Sequence, residues 1–122
     1  MADPAPSIDA FLPLTPTVFY ILLSLADRER HGYAIMQEVE AMTGGQIRMG
    51  PGTLYGAIKR MLATGLIVES DERPDPEYDD ERRRYYRLTT LGRRVLNAET
   101  QRLSHLVEVA RRKRRVSTGE MG

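Results

Sequence analysis

The order of apolar and polar positions predicts three helices in the first half of the chain. Residues 17–26 are apolar on nearly every face, which indicates a helix that is buried on most sides. A turn is expected over residues 27–32, and residues 33–42 then carry one apolar stripe at helical spacing. A third helix is expected from the Gly50-Pro51 start to about Ala63, with one apolar and one polar face.

The next part of the chain predicts a β-hairpin. Residues 66–70 and 84–88 have the composition of two short strands. In the second of them, Tyr86 and Leu88 alternate with Tyr85, which is the period of a strand that is buried on one face. The strands are separated by an acidic, proline-containing segment, so we expect a long loop between them.

A long final helix is expected after the hairpin. Thr89 or Thr90 can cap its start, and the helical pattern continues to about Arg114. One apolar stripe follows the helix through most of its length. Because a domain of this size cannot cover so long a stripe alone, a helix from a second subunit is the expected cover.

Three helices, two strands and a further helix form the order of a winged helix-turn-helix domain. We therefore predict a mainly α fold with a small β-hairpin, a winged helix-turn-helix and a long C-terminal dimerisation helix. The predicted divisions are a flexible N-terminal arm over 1–12, the DNA-binding domain over 13–90, the dimerisation helix over 91–115 and a disordered tail over 116–122.

The amino-acid composition excludes several classes of function. The 122 residues suit one domain, and the absence of cysteine excludes disulfides, thiol catalysis and cysteine-bound zinc. The two histidines, His31 and His105, have no nucleophile or set of metal ligands near them in the pattern, so we expect no enzyme, metal or cofactor. No apolar stretch reaches about 18 residues, so we expect a cytoplasmic protein with no signal peptide and no membrane partner.

Charge is informative through its distribution, because the formal net charge is only +1. Residues 71–81 are acidic, the arginines Arg82–Arg84 follow them, and a basic run occupies residues 111–115. The basic run is favourable at a helix C-terminus, and a secondary DNA contact or a disordered tail are its alternatives. An acidic loop would be repelled by phosphate, so we expect it to fold away from DNA.

Three segments, in order, resemble the PadR family of transcriptional regulators. Residues 52–67 (GTLYGAIKRMLATGLI) are similar to the family's recognition-helix motif. His31-Gly32-Tyr33 resembles the start of its second helix, and residues 84–92 (RYYRLTTLG) resemble its second wing strand and the start of its last helix. The resemblance covers roughly residues 14–110 and implies a DNA-binding regulator.

The third helix has the division that a recognition helix requires, with one face for the core and one for the major groove. Its N-terminus suits a phosphate, the hydroxyl of Thr53 and the phenol of Tyr55 can reach the DNA backbone, and cations beyond them can pair with phosphate or read guanine. The resemblance implies the same role for Thr53 and Tyr55. The predicted DNA-contacting residues are Tyr33, Thr53, Tyr55, Lys59, Arg60, Arg82, Arg83 and Arg84.

Each of these residues has a simpler alternative. Thr53 can cap the helix, Tyr55 can pack on the second helix, and Lys59 and Arg60 can form a solvated face. The arginines Arg82–Arg84 can neutralise the acidic loop before them. A winged helix that binds proteins rather than DNA is the corresponding alternative for the whole domain.

The resemblance also implies a two-fold dimer, in which the last helix packs against the first helix of the partner. Two recognition helices then lie about one DNA turn apart (~34 Å), which predicts a pseudo-palindromic operator. Repression is the family's usual mode, and some members bind small aromatic effectors between the subunits. The predicted dimerisation residues are Phe19, Leu22, Leu96, Leu103, Leu106, Val107 and Ala110.

Overall fold

The computed structural model describes residues 7–70 and 84–119. A short 3-10 helix, Ile8–Phe11, comes first. The elements that follow it are α1 (Pro16–Ser24), β1 (Arg30–His31), α2 (Gly32–Met42), α3 (Pro51–Thr64), β2 (Ile67–Ser70), β3 (Tyr85–Leu88) and α4 (Thr90–Gly119). The predicted architecture, a mainly α winged helix with a long C-terminal helix, is confirmed.

Local chemistry explains where α1 and α3 begin and end. Thr15 caps α1, because its Oγ1 accepts a hydrogen bond from the Val18 N–H at 3.3 Å, and proline occupies the first turn. α3 follows Gly50 and also has proline in its first turn, but no side chain caps it. It ends at Gly65, whose left-handed φ of 81° is the usual glycine stop.

Within the described residues, the sheet has three strands rather than the two of the predicted hairpin. Its order is β1-β3-β2, with both pairs antiparallel, so the edge residues Arg30 and His31 pair with Tyr86 and Tyr85. The expectation of a simple turn over residues 27–32 was therefore wrong for the last part of that segment. Tyr85 is buried, although the predicted alternation places it on the exposed face of the strand. The ring of His31, in β1, packs edge-on against Tyr85 and helps to cover it.

The described part of the N-terminal segment packs on the domain. Residues 8–12 were assigned to the loose arm, but Ile8, Phe11 and Leu12 pack against the core. Just beyond them, the Leu14 N–H donates a 2.7 Å hydrogen bond to Oε2 of Glu99 on α4. These contacts tie the segment before α1 to the first part of α4.

Only the first third of α4 belongs to the core. Thr89 caps the helix, because its Oγ1 accepts a hydrogen bond from the Gly92 N–H at 2.9 Å. Val95 and Leu96 are buried with the three-helix core, whereas described side chains beyond Leu103 are mostly exposed. At 30 residues the helix is about 45 Å long and continues through Gly119, beyond the point at which a disordered tail was expected.

Two of the predicted dimerisation residues are instead core residues of a single chain. Leu22 is fully buried and Leu96 is 5% exposed, so neither presents a side chain to a partner. The apolar stripe of α4 is present as predicted, but its first part is covered by the chain's own elements. Phe19 and Leu103 are half-buried, and Leu106, Val107 and Ala110 are exposed, so these residues remain available to a second subunit.

Candidate nucleic-acid interface

The two faces of α3 differ sharply in burial. Its inner face is packed in the core through Leu54, Ala57, Ile58 and Met61, each no more than 2% exposed. Its outer face carries the side chains that were predicted to contact DNA. They are Thr53, Tyr55, Lys59 and Arg60, all exposed.

The cations on this outer face are not committed to partners within the described part of the chain. There, no carboxylate lies within ion-pair distance of Lys59 or Arg60. The guanidinium of Arg60 folds back beside Gly56, one helical turn earlier. A face of cations that have no ion-pair partner among the described residues, next to hydroxyl groups, is suited to phosphate and to the acceptor groups of base edges.

The phenol of Tyr55 lies over the start of α2. A Cβ atom built on Gly32 would overlap the Tyr55 hydroxyl and lie 2.8 Å from its Cζ. Tyr55 is nevertheless 50% exposed, and Tyr33, the residue after Gly32, is 58% exposed. Tyr55 thus packs on the start of α2, as in the simpler alternative, and half of its surface stays exposed; its contact with DNA stays a prediction.

A buried arginine fixes the turn between α1 and α2. The Nε of Arg30 donates a 2.7 Å hydrogen bond to the carbonyl oxygen of Ser24, at the end of α1. Its Nη2 lies 3.3 Å from Oδ1 of Asp27 and 3.4 Å from Oε2 of Glu38, on α2. Because Arg30 is only 8% exposed, these partners offset the cost of burying its charge and hold α2 at a fixed angle to α1.

The start of α2 is also capped by a side chain. Nδ1 of His31 accepts a hydrogen bond from the Ala34 N–H at 3.1 Å. The same histidine ring contacts Tyr85 on β3, with ring centroids 5.3 Å apart. The first turn of α2, which carries Tyr33, is thereby joined to the sheet.

In the described part of the wing, a carboxylate partly neutralises the charge of one arginine. Nη1 of Arg84 lies 3.2 Å from Oε1 of Glu69 on the neighbouring strand, and both side chains are exposed. Burial, and then the charge of Glu69, raise the pKa of Tyr86 above its ordinary value, so its phenol stays neutral at physiological pH. Arg82 and Arg83, which were predicted to contact DNA, lie outside the described residues.

The same regions of the chain also bear on metal binding and on membrane insertion. Over residues 7–70 and 84–119, no three His, Cys, Asp or Glu side chains come together in a way that could hold a metal ion. Over the same residues, no helix is both long and apolar enough to cross a membrane.

Comparison with known proteins agrees with this geometry. The sequence profile of the transcriptional regulator PadR-like family matches residues 21–98. The chain belongs to this family. As a PadR-like protein it is a transcriptional regulator and not an enzyme, which confirms the family resemblance and the expectation of no catalysis.

Individual relatives extend the comparison. The chain is 38% identical over 87 residues to the transcriptional regulator Rv3488 of Mycobacterium tuberculosis, a match that covers 71% of this chain and 75% of that one. It is 37% identical over 86 residues, 70% of its length, to an uncharacterised 37.1 kDa protein of a Streptomyces fradiae transposon, of which it spans only 22%.

A solved PadR family transcription regulator from Clostridium difficile has a similar fold. It superposes with a TM-score of 0.65 at 25% identity, covering 80% of this chain and 97% of that one. The winged helix of the PadR-like protein is therefore supported by both sequence and structure.

In this PadR-like protein, the sequence located the outer face of α3 but missed the residues that hold it in place. Gly32 belongs to the motif His31-Gly32-Tyr33, but its close approach to Tyr55 has no signal in the local pattern. The sequence pattern predicts a turn at Arg30 and gives it no further role. Its position between apolar segments, with acidic residues at both sides in sequence, was the signal that could have identified a buried ion pair.

Proposed function

We propose that this PadR-like protein is a homodimeric repressor that binds a pseudo-palindromic DNA operator through the outer face of α3. The observation that carries the proposal is the division of α3 between a buried apolar face and an exposed face of hydroxyl groups and cations. In this account, Thr53 and Tyr55 contact the DNA backbone, and Lys59 and Arg60 contact phosphates or base edges in the major groove.

Tyr33 and Arg84 complete the proposed DNA surface from either side. Tyr33 is exposed in the first turn of α2, which Arg30 and His31 hold in position. Arg84 leads into the wing strand β3, and its ion pair with Glu69 is exposed and therefore weak enough for phosphate to compete with the carboxylate. Arg82 and Arg83 are proposed to extend this contact.

The dimer is supported by the exposed part of α4. Leu106 and Val107 are each 48% exposed, and with Leu103 and Ala110 they recur at the three- and four-residue spacing of one helical face. An apolar stripe on a helix that extends away from its own domain favours a partner helix. Half-buried Phe19, on α1, is proposed to contribute to the same interface.

A cleft between α1 and α4 is the proposed site of a small aromatic effector. Its volume is about 280 Å³, and its lining includes the rings of Phe19 and Tyr20 and the side chain of Arg102. The cleft adjoins the apolar stripe of α4 at Leu103, so a ligand there would contact the proposed dimer interface. Such a ligand is proposed to change the separation of the two recognition helices and release the DNA.

The experiment that tests this function is a fluorescence anisotropy titration of the protein against the DNA upstream of its own gene. Excess unrelated DNA is included as competitor, and the titration is run at two salt concentrations. We expect saturable binding that survives the competitor and weakens steeply as salt rises. No binding to any DNA at low salt would contradict the proposal and favour a protein-binding winged helix.

A further inference from the structure

A glycine of α2 and a tyrosine of α3 lie in close contact. Gly32 is the first residue of α2 and is buried. A Cβ at this position would overlap the Tyr55 hydroxyl, lie 2.8 Å from Cζ and lie 3.1 Å from Cε1. Contacts below 3.0 Å do not occur for real Cβ atoms, so any side chain larger than hydrogen would displace the phenol.

The need for glycine here comes from this contact and not from the backbone. The glycines with left-handed φ values are Gly44, Gly45 and Gly65, and Gly32 is not among them. Alanine is therefore compatible with the conformation of the first turn of α2. Outside the backbone of α2 itself, the atoms nearest to such a Cβ belong to the ring of Tyr55.

The ring of Tyr55 also lies close to the sheet. Its phenol is near enough to Tyr86 to contribute to the raised pKa of that residue. Tyr86 pairs in register with Arg30, two residues before Gly32. Tyr55 thus occupies the corner where β1 ends and α2 begins, with half of its surface still exposed.

We propose that Gly32 is a positioning residue for DNA binding: by having no side chain, it lets the Tyr55 phenol rest on the first turn of α2 and so fixes the hydroxyl at the DNA-facing surface. This inference rests on the proposed function, because it concerns how one of the proposed DNA contacts is held. An aromatic side chain whose hydroxyl end rests against backbone keeps few alternative rotamers, so less entropy is lost when its hydroxyl binds a phosphate.

The test is a double-mutant cycle of Gly32→Ala and Tyr55→Ala, measured as operator affinity at low salt so that weakened variants still bind. In the otherwise unchanged protein, Gly32→Ala is expected to weaken binding roughly tenfold, the size of one lost hydrogen bond to a charged group. In the Tyr55→Ala background, the same change is expected to alter affinity less than about twofold, because the displaced ring is already gone.

A second measurement reports the position of the Tyr55 ring independently of the affinity for DNA. The ring resonances of Tyr55, assigned by comparison with Tyr55→Phe, are expected to shift in Gly32→Ala while the thermal unfolding temperature changes little. An equal loss of affinity in both backgrounds, or no loss in either, would overturn the inference. If the unchanged protein binds no DNA, the proposed function fails, and the Tyr55 resonances still report whether Gly32 positions the ring.

Discussion

Glu99, on α4, accepts a 2.7 Å hydrogen bond from the backbone N–H of Leu14, which precedes α1. The carboxylate is only 2% exposed, and its other partner is the guanidinium of Arg102, one turn further along the helix. A single buried acid therefore joins the N-terminal segment to the helix that carries the proposed dimer interface. The same acid lines the cleft between α1 and α4.

The first prediction concerns the stability of this junction. The hydrogen bond from Arg102, followed by that from Leu14, lowers the pKa of Glu99 below its ordinary value, although burial opposes this. A lowered carboxyl pKa gives stability that is fully present above the unfolded value of about 4.3 and is lost as pH falls through the folded value.

Glu99→Gln is expected to lower the free energy of unfolding at pH 7 by about 1–3 kcal/mol, because one buried partner is left imperfectly paired. It should also flatten the decline in stability below about pH 4.3. Urea denaturation at several pH values measures both effects. The matched control is Glu108→Gln, whose carboxylate is exposed on the same helix and pairs with Arg115. Equal effects of Glu99→Gln and Glu108→Gln would contradict the role of Glu99 as the buried acid that joins the segment before α1 to α4.

The second prediction concerns the close approach of α4 to the end of α3. A Cβ on Gly92 would overlap the carbonyl oxygen of Leu66, which already accepts hydrogen bonds from Thr89. Because backbone cannot move as a side chain can, Gly92→Ala is expected to destabilise the protein by about 3 kcal/mol. Thermal unfolding measures the loss.

Gly56→Ala is the matched control for Gly92. Its Cβ would meet only the guanidinium of Arg60, at an ordinary 3.7 Å. Because alanine is the better helix former by up to about 1 kcal/mol, this change should leave the protein equally or more stable. A Gly92→Ala protein that unfolds at the unchanged temperature would mean that α4 can shift away from Leu66 without cost.

The third prediction concerns the dimer. Leu106→Arg places a charge on the exposed stripe of α4, outside the core of the single chain. We expect a folded monomer whose operator affinity is greatly reduced, because the two half-sites are no longer bound by one particle. Sedimentation velocity gives the mass and circular dichroism confirms folding. Val68→Arg, at a 36% exposed position on β2, is expected to leave the dimer intact. A dimer that persists in Leu106→Arg would place the interface elsewhere.

The helices could be predicted from the sequence because their signals are local. Proline at the start of α1 and α3, glycine at the end of α3 and stripes at helical spacing all lie within the segments that they define. β1 has only two residues and no period of its own, so its pairing with Tyr85 and Tyr86 depends on residues that are distant in sequence.

From the sequence, it could not be predicted whether an apolar side chain of α4 is buried by its own chain or by a partner subunit. Leu96 and Leu106 belong to one stripe, yet the first is covered by the core and the second is exposed. A stripe shows which face of a helix is apolar but not what covers it. Glu99 interrupts that stripe between Leu96 and Leu103, and this interruption was the one local sign of a buried acid.

The cations of α3 give the most direct test of the central claim, that its outer face binds the operator. We would measure operator affinity as a function of salt for the double variant Lys59→Gln, Arg60→Gln. The matched control is Arg111→Gln, Arg112→Gln, which removes the same charge from the exposed end of α4.

We predict that the α3 variant loses at least about tenfold in affinity and that its salt dependence decreases by roughly one to two ion equivalents, while its unfolding temperature is unchanged. The α4 control should bind nearly as the unchanged protein does. Equal losses in the two variants would contradict the claim, because binding would then depend on total charge and not on the outer face of α3.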